Sequence, residues 1–163
     1  MEVSPWIERW AHLIVRGPVL DVACGEGRHA RYFLGRGLDV VAIDRTAQVI
    51  PGARFVQADL ENANAWPLPG ERFEAVIVTN YLYRPLFSVL CDALAPGGVL
   101  LSETFMLGNE RFGRPSNPEF LLRPGELLQA FASLDVKGFE EGEVARPKPA
   151  MIQRLCAVRA GNR

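Results

Sequence analysis

Residues 19–30 read VLDVACGEGRHA, and the fold of the chain turns on how that stretch is parsed. Val19 to Ala23 is an apolar run of strand length, Gly25 to Gly27 is a glycine turn, and Arg28 to Ala30 opens a helix that continues through Phe33 and Leu34. A strand that passes through glycines directly into a helix opens a βαβ unit. Gly25 and Gly27 carry no Cβ, so the backbone there turns tightly and a ligand can approach it. The first N–H groups of the following helix are left without intrahelical partners beside that ligand. Asp44 closes the next apolar run, LDVVAID at 38–44, where a carboxylate can accept from both hydroxyls of a ribose.

The same alternation continues outward. ARFVQADL at 53–60, FEAVIVTN at 73–80 and GGVLLSETF at 97–105 read as further strands. A helix begins at Pro85, carries Leu86, Phe87, Val89, Leu90, Ala93 and Leu94 as an apolar stripe, and stops at PGG, 96–98. Another follows Pro124, with Leu127, Leu128, Phe131 and Leu134 facing inward. Continuous apolar runs separated by crossovers predict a parallel sheet covered on both faces. Residues 135–144 and 151–159 form two more strands, antiparallel because the connection through Pro147 and Pro149 is short. Before Val19, Ser4 as cap, Pro5, and the recurrence of Trp6, Trp10, Leu13 and Ile14 place a helix within residues 1–16, packed against the sheet edge. Between Asp44 and Ala53 there is room only for a turn or a single helical turn. The expectation is a single domain over 1–163.

Composition bounds the function. The 163 residues carry 18 Lys and Arg against 19 Asp and Glu, a net charge of −1, which supplies no broad attraction for nucleic acid or an acidic membrane. No apolar run is long enough to span a bilayer, and Glu2 with no basic segment after it argues against a secretory signal. Cys24, Cys91 and Cys156 are odd in number and far apart, and His12 and His29 are the only histidines. That pattern fits a reducing compartment, here read as cytoplasm, and no metal site.

Two nucleotide readings compete for the glycine turn. Gly25, Gly27 and Ala30 satisfy a Gly-x-Gly-x-x-Gly/Ala spacing with Asp44 near the expected offset, which admits a nicotinamide-dependent oxidoreductase. Against it, Asp21 lies in the strand and Glu26 inside the turn. Two carboxylates near a pyrophosphate raise its energy, whereas near a cationic ligand they lower it. The acids favour a ligand with positive charge.

The combination of VLDVACGEGRHA with Asp44, ADLE at 58–61 and LAPGGVLLSETF at 94–105 resembles the class I S-adenosylmethionine-dependent methyltransferases, and within them the small bacterial methyltransferase type 11/12 and tellurite-resistance-like groups. The resemblance runs from Val19 over nearly all of the chain. It implies an α/β, Rossmann-like three-layer sandwich with seven strands in the order 3-2-1-4-5-7-6, the last antiparallel. It also implies S-adenosylmethionine as methyl donor, S-adenosylhomocysteine as product, and no metal. Carried over by position, Asp21, Ala23 and Gly25 would line the methionine end, with Gly27 in close backbone approach. His29, from its own place at the helix start, is expected either to bond to backbone there or to contact the cofactor carboxylate. Asp44 would bind the ribose, Asp59 would face the adenine amine, and Leu60 would pack on the ring. Arg45, next to Asp44, is expected either over adenine or toward solvent. Asn80 and Tyr81 would lie beside the transferable methyl.

On the acceptor side, Tyr81, Arg84, Glu103 and Arg111 are the catalytic candidates, because they follow the fourth and fifth strands toward one crevice. Glu103 in an apolar strand needs a partner, and Arg84 or Arg111 is the expected one. Cys24 is expected to pack under the turn. The polar segment 106–123 reads as a wall or lid of the acceptor pocket. The expected activity is methyl transfer to a small molecule by a monomer or weak homodimer. The alternatives are a non-catalytic S-adenosylmethionine-binding protein and the oxidoreductase above.

Overall fold

The structure is a computed structural model and describes residues 2–161. Seven strands form one sheet in the order β3-β2-β1-β4-β5-β7-β6, the order and α/β class expected. They are β1 (Val19–Val22), β2 (Val40–Asp44), β3 (Arg54–Gln57), β4 (Phe73–Thr79), β5 (Leu94–Phe105), β6 (Asp135–Val144) and β7 (Ala150–Val158). Pairing is parallel through β5 and antiparallel for β5–β7 and β7–β6. The helices are α1 (Pro5–Trp10), α2 (Arg28–Gly35), α3 (Phe87–Ala93) and α4 (Glu126–Ala130).

Period-two alternation divides the sheet between two cores. Val19, Ala42, Ala75, Ile77, Val99 and Leu101 face one side, where Trp6, Ile7, Ala30 and Phe33 of α1 and α2 cover them. Leu20, Val22, Val41, Ile43, Val76, Val78 and Leu100 face the other, under Leu90 of α3 and Leu127 of α4, with Phe131 just beyond. Both faces are therefore dry, which is why the inner strands read as unbroken apolar runs. Leu128, expected to face inward, is 36% exposed, because α4 is a helix of five residues with a single buried stripe.

The N-terminal helix is anchored at both ends of its apolar face. Ser4 caps α1 by accepting from the Trp6 N–H, and Trp6, 1% exposed, donates from Nε1 to the Leu155 carbonyl. Trp10 lies on β6 at Gly138, where an added Cβ would come within 2.4 Å of the indole. The segment Leu94–Gly98, expected as a helix stop, opens β5 instead. The β4–β5 register passes from Phe73↔Leu94 to Ala75↔Val99, so the Pro96-Gly97-Gly98 stretch bulges out between them. Gly98 fits there because a Cβ would meet the Phe73 and Ala95 carbonyl oxygens at 2.9 and 2.8 Å.

Candidate functional site

The C-terminal ends of β1, β2, β4 and β5 open onto a cavity of about 550 Å³, within the range that holds a small ligand. One side is formed by Ala23, Asp44, Arg45, Ala58, Asp59 and Leu60, the other by Asn80, Tyr81, Leu82, Thr104 and Phe105, with Glu61, Pro115 and Phe120 at the rim. Ala23 ends β1 at φ 53° and Asn80 ends β4 at φ 55°. Both are left-handed without being glycine, a conformation that costs about 1–2 kcal/mol. The two stand at neighbouring strand ends and both line this cavity. The Asn80 N–H donates to the Glu103 carbonyl at 2.8 Å, which carries the chain out of the sheet.

The glycine turn orients Asp44. Gly25 N–H donates to Asp44 Oδ1 at 3.1 Å and Thr46 N–H to Oδ2 at 3.0 Å. Each carboxylate oxygen keeps a free lone pair for a ligand hydroxyl. Gly25, at φ 56°, has nothing within 4 Å of where a Cβ would stand, so its exposed backbone borders open space. Gly27 differs: a Cβ would stand 2.6 Å from Ile50 Cδ1. Its expected role in close ligand approach gives way to packing, because the turn between β2 and β3 drops Ile50 against it.

Two other expectations are redirected. Asp21 is 2% exposed, and its Oδ2 accepts from the Ala30 N–H, so it caps α2 beneath the turn and lies outside the cavity wall. Burial pushes its carboxyl up to about 7. His29, also 2% exposed, accepts the Ser4 N–H on Nε2 at 3.1 Å and faces Thr79 Oγ1 with Nδ1 at 3.4 Å. Both ring nitrogens are engaged, so the ring holds the N-terminal segment and does not reach toward a cofactor carboxylate. Burial first, then Arg28, brings its pKa down to about 4. Cys24 does pack under the turn, with burial raising its thiol to about 12.

Glu103 is paired, but with neither expected arginine. It lies directly opposite Arg154 in the β5–β7 register and is joined to it at 2.5 Å, while Ser4 Oγ donates to its other oxygen at 2.9 Å. Its carboxylate therefore faces α1, and the next residue, Thr104, lines the cavity. Arg84 makes a two-pronged pair with Glu126, at 2.6 and 3.0 Å, and donates to the Glu119 and Leu121 carbonyls. Arg111 reaches the Gly108 carbonyl and, at 3.8 Å, Glu143. Of the four acceptor-side candidates, only Tyr81 lines the cavity.

Tyr81 Oη donates to Glu61 Oε2 at 3.0 Å, and burial, followed by Glu61, raises its phenol well above the usual range. Glu61 went unrecognised as a site residue in the sequence. The signal available was its place at the end of ADLE, two residues beyond Asp59, whose Oδ1 turns the chain by accepting the Glu61 N–H. The segment 106–123 does reach the rim through Pro115 and Phe120. It is tied by Asn109, which accepts the Met151 N–H and donates to the Pro115 carbonyl. No group of three metal-ligating side chains and no helix long and apolar enough to cross a membrane occurs among the described residues.

Strand order, glycine turn and Asp44 together define a Rossmann-like nucleotide-binding fold of the methyltransferase type. Residues 19–98, just under half of the chain, match the family model described as a methyltransferase domain, and the strand order is that of the class I S-adenosylmethionine-dependent methyltransferase fold. The chain is 37% identical over 100 residues to the malonyl-[acyl-carrier protein] O-methyltransferase of Enterobacter lignolyticus, covering 53% of this chain and 38% of that protein. To the tRNA U34 carboxymethyltransferase of Pseudomonas fluorescens it is 30% identical over 122 residues, covering 65% of this chain and 38% of that one. The chain thus spans less than two-fifths of either relative. TehB from Haemophilus influenzae superposes with a TM-score of 0.78 at 16% identity, over 96% of this chain and 62% of that one, a likeness of fold.

Proposed function

We propose that the cavity binds S-adenosylmethionine and that the protein transfers its methyl group to a small-molecule acceptor in a reducing, cytoplasmic compartment. The observation that carries the reading is Asp44, aimed at the cavity by the Gly25 N–H at the end of β2, in a cavity that extends across the sheet to the ends of β4 and β5. The residues fit the cofactor. Asp44 suits the ribose hydroxyls, Asp59 the adenine amine, Leu60 the ring face, and the open backbone at Ala23 and Gly25 the methionine end. When bound, the sulfonium supplies an activated methyl, so the protein needs only to align acceptor and donor and exclude water. Tyr81, Leu82, Thr104 and Phe105 form the wall that does so, with Phe120 at the mouth. A small acceptor suits a cavity rimmed by Asp44, Asp59 and Glu61, which repel a polyphosphate chain.

Calorimetry with S-adenosylmethionine, S-adenosylhomocysteine and NAD, each alone, tests the assignment. The two sulfur compounds should bind and NAD should not. Asp44→Ala should weaken binding by about 2–4 kcal/mol, since charge-assisted hydrogen bonds contribute about 1.5–3 kcal/mol each, with an unchanged circular dichroism spectrum. Binding of NAD alone would restore the oxidoreductase reading. Cofactor binding with no S-adenosylhomocysteine released across a broad acceptor panel would favour the non-catalytic binder.

A further inference from the structure

Resting on the S-adenosylmethionine reading, we infer that the methyl acceptor is an uncharged planar ring bearing an N–H or O–H nucleophile, held by that donor on Tyr81, and that carboxylate and phosphate acceptors are turned away. The first ground is the proton count at Tyr81. A phenol has one proton to donate, and Tyr81 gives it to Glu61 Oε2 at 3.0 Å. Toward the cavity the oxygen therefore offers only lone pairs. Burial and Glu61 both hold the group in its protonated form, so it stays a hydroxyl with a fixed direction. Glu61 is a positioning residue: it decides which way the Tyr81 proton points.

The second ground is charge. Among the described residues lining the cavity, Arg45 is the one cation. It follows the end of β2, two strand spacings from β4, which leads into Tyr81, or about 9–10 Å. Arg84, the cation nearest to Tyr81 in sequence, is turned to Glu126 and two carbonyls. An anionic acceptor would meet the Glu61 carboxylate with no lining side chain of opposite charge at the ends of β4 and β5. The third ground is shape. Phe120 is 52% exposed although it is aromatic, and it lines the cavity together with Phe105, Leu82 and Pro115. A flat apolar ring gives those surfaces a partner. In the transfer, the bond from sulfur to methyl breaks as the bond from the acceptor atom to methyl forms, and sulfur keeps the electron pair. The proton shed by the acceptor passes to Tyr81 Oη, which releases its own to Glu61.

The test is calorimetry on protein loaded with S-adenosylhomocysteine, titrated with 5-aminoquinoline, 5-hydroxyquinoline and quinoline-5-carboxylate. At least one of the two donor-bearing probes should bind the parent at least about tenfold more tightly than the carboxylate. Tyr81→Phe should reduce that preference to less than about threefold. Glu61→Leu frees the Tyr81 proton to turn into the cavity, and the preference should invert. Glu61→Gln keeps an accepting oxygen for Tyr81 and should retain the parental order. A purely structural Glu61 would lower all affinities together without inverting them. Equal binding of carboxylate and donor probes, an unchanged order in Glu61→Leu, or no probe binding at all would overturn the inference. Failure of S-adenosylhomocysteine itself to bind would instead remove the cofactor reading on which it stands.

Discussion

Two buried groups beneath the glycine turn carry opposite pH dependences. His29 has a pKa near 4 in the fold against an ordinary 6.5, so the unfolded chain takes up its proton first as pH falls. Its contribution is complete above about 6.5 and lost toward 4, on the order of 3 kcal/mol. Asp21 has a pKa near 7 against an ordinary 3.8, so the folded state takes up its proton first. Its contribution is complete below about 3.8 and lost as pH rises toward 7, on the order of 4 kcal/mol. Between pH 4.5 and 7 the two nearly cancel, and stability should be flat. Asp21→Asn should leave the loss from His29 exposed, so that the urea midpoint falls on acidification. His29→Gln should leave the opposite slope. Equal slopes in parent and both variants would mean that neither group is buried in the ionisation state described.

At the scale of elements, the segment 106–123 is fastened near both ends, at its start by the Met106 N–H donating to the Met151 carbonyl and by Asn109 accepting the Met151 N–H. Its exit is fastened where Arg84, just before α3, grips Glu126 at the start of α4 and the carbonyls of Glu119 and Leu121. Glu126 is 6% exposed, and a buried acid stripped of its partner costs about 3–5 kcal/mol, less where the partner is half in water, as Arg84 is. Arg84→Ala should therefore destabilise the fold by about 2–4 kcal/mol and raise hydrogen exchange across residues 117–127. Affinity for S-adenosylhomocysteine should stay within about threefold, since the ends of β1 and β2 are untouched. A large loss of cofactor affinity with unchanged exchange would place Arg84 in the site after all. On the opposite face, Glu103, Arg154 and Glu140 form a row across β5, β7 and β6, and Arg9 of α1 closes it on Glu140. Trp6 lies between the guanidinium groups of Arg9 and Arg154, 5.0 and 5.8 Å from its ring. This ladder fastens α1 to the sheet.

Over the whole molecule, one sheet forms the floor of both apolar cores, and neither core can open without exposing the strands that the other covers. Unfolding should therefore be cooperative. Trp6 reports on one core and Trp66, packed on the other, reports on the second. Fluorescence of single-tryptophan variants retaining one or the other should give the same urea midpoint as far-UV circular dichroism, within about 0.2 M against slopes of about 1–3 kcal/mol/M. Separated midpoints would show that the cores unfold independently.

Strand order, the glycine turn and the place of Asp44 were legible in the sequence because each is written locally. An apolar run, a residue without Cβ and an acid at a strand end each need only a few neighbours to be recognised. The partners of the charged residues were not. Glu103 was expected on Arg84 or Arg111, yet the antiparallel register of β5 and β7 sets it opposite Arg154, 51 residues away. His29 meets Ser4 because α1 folds back over α2, and Tyr81 meets Glu61 because the chain after β3 passes the end of β4. Sequence spacing carries no record of which strand ends become neighbours in space. The chain by itself determined a methyltransferase fold with an acid at the end of its second strand, and only the tertiary structure decided which acid Tyr81 faces and therefore what that wall of the cavity presents to a ligand.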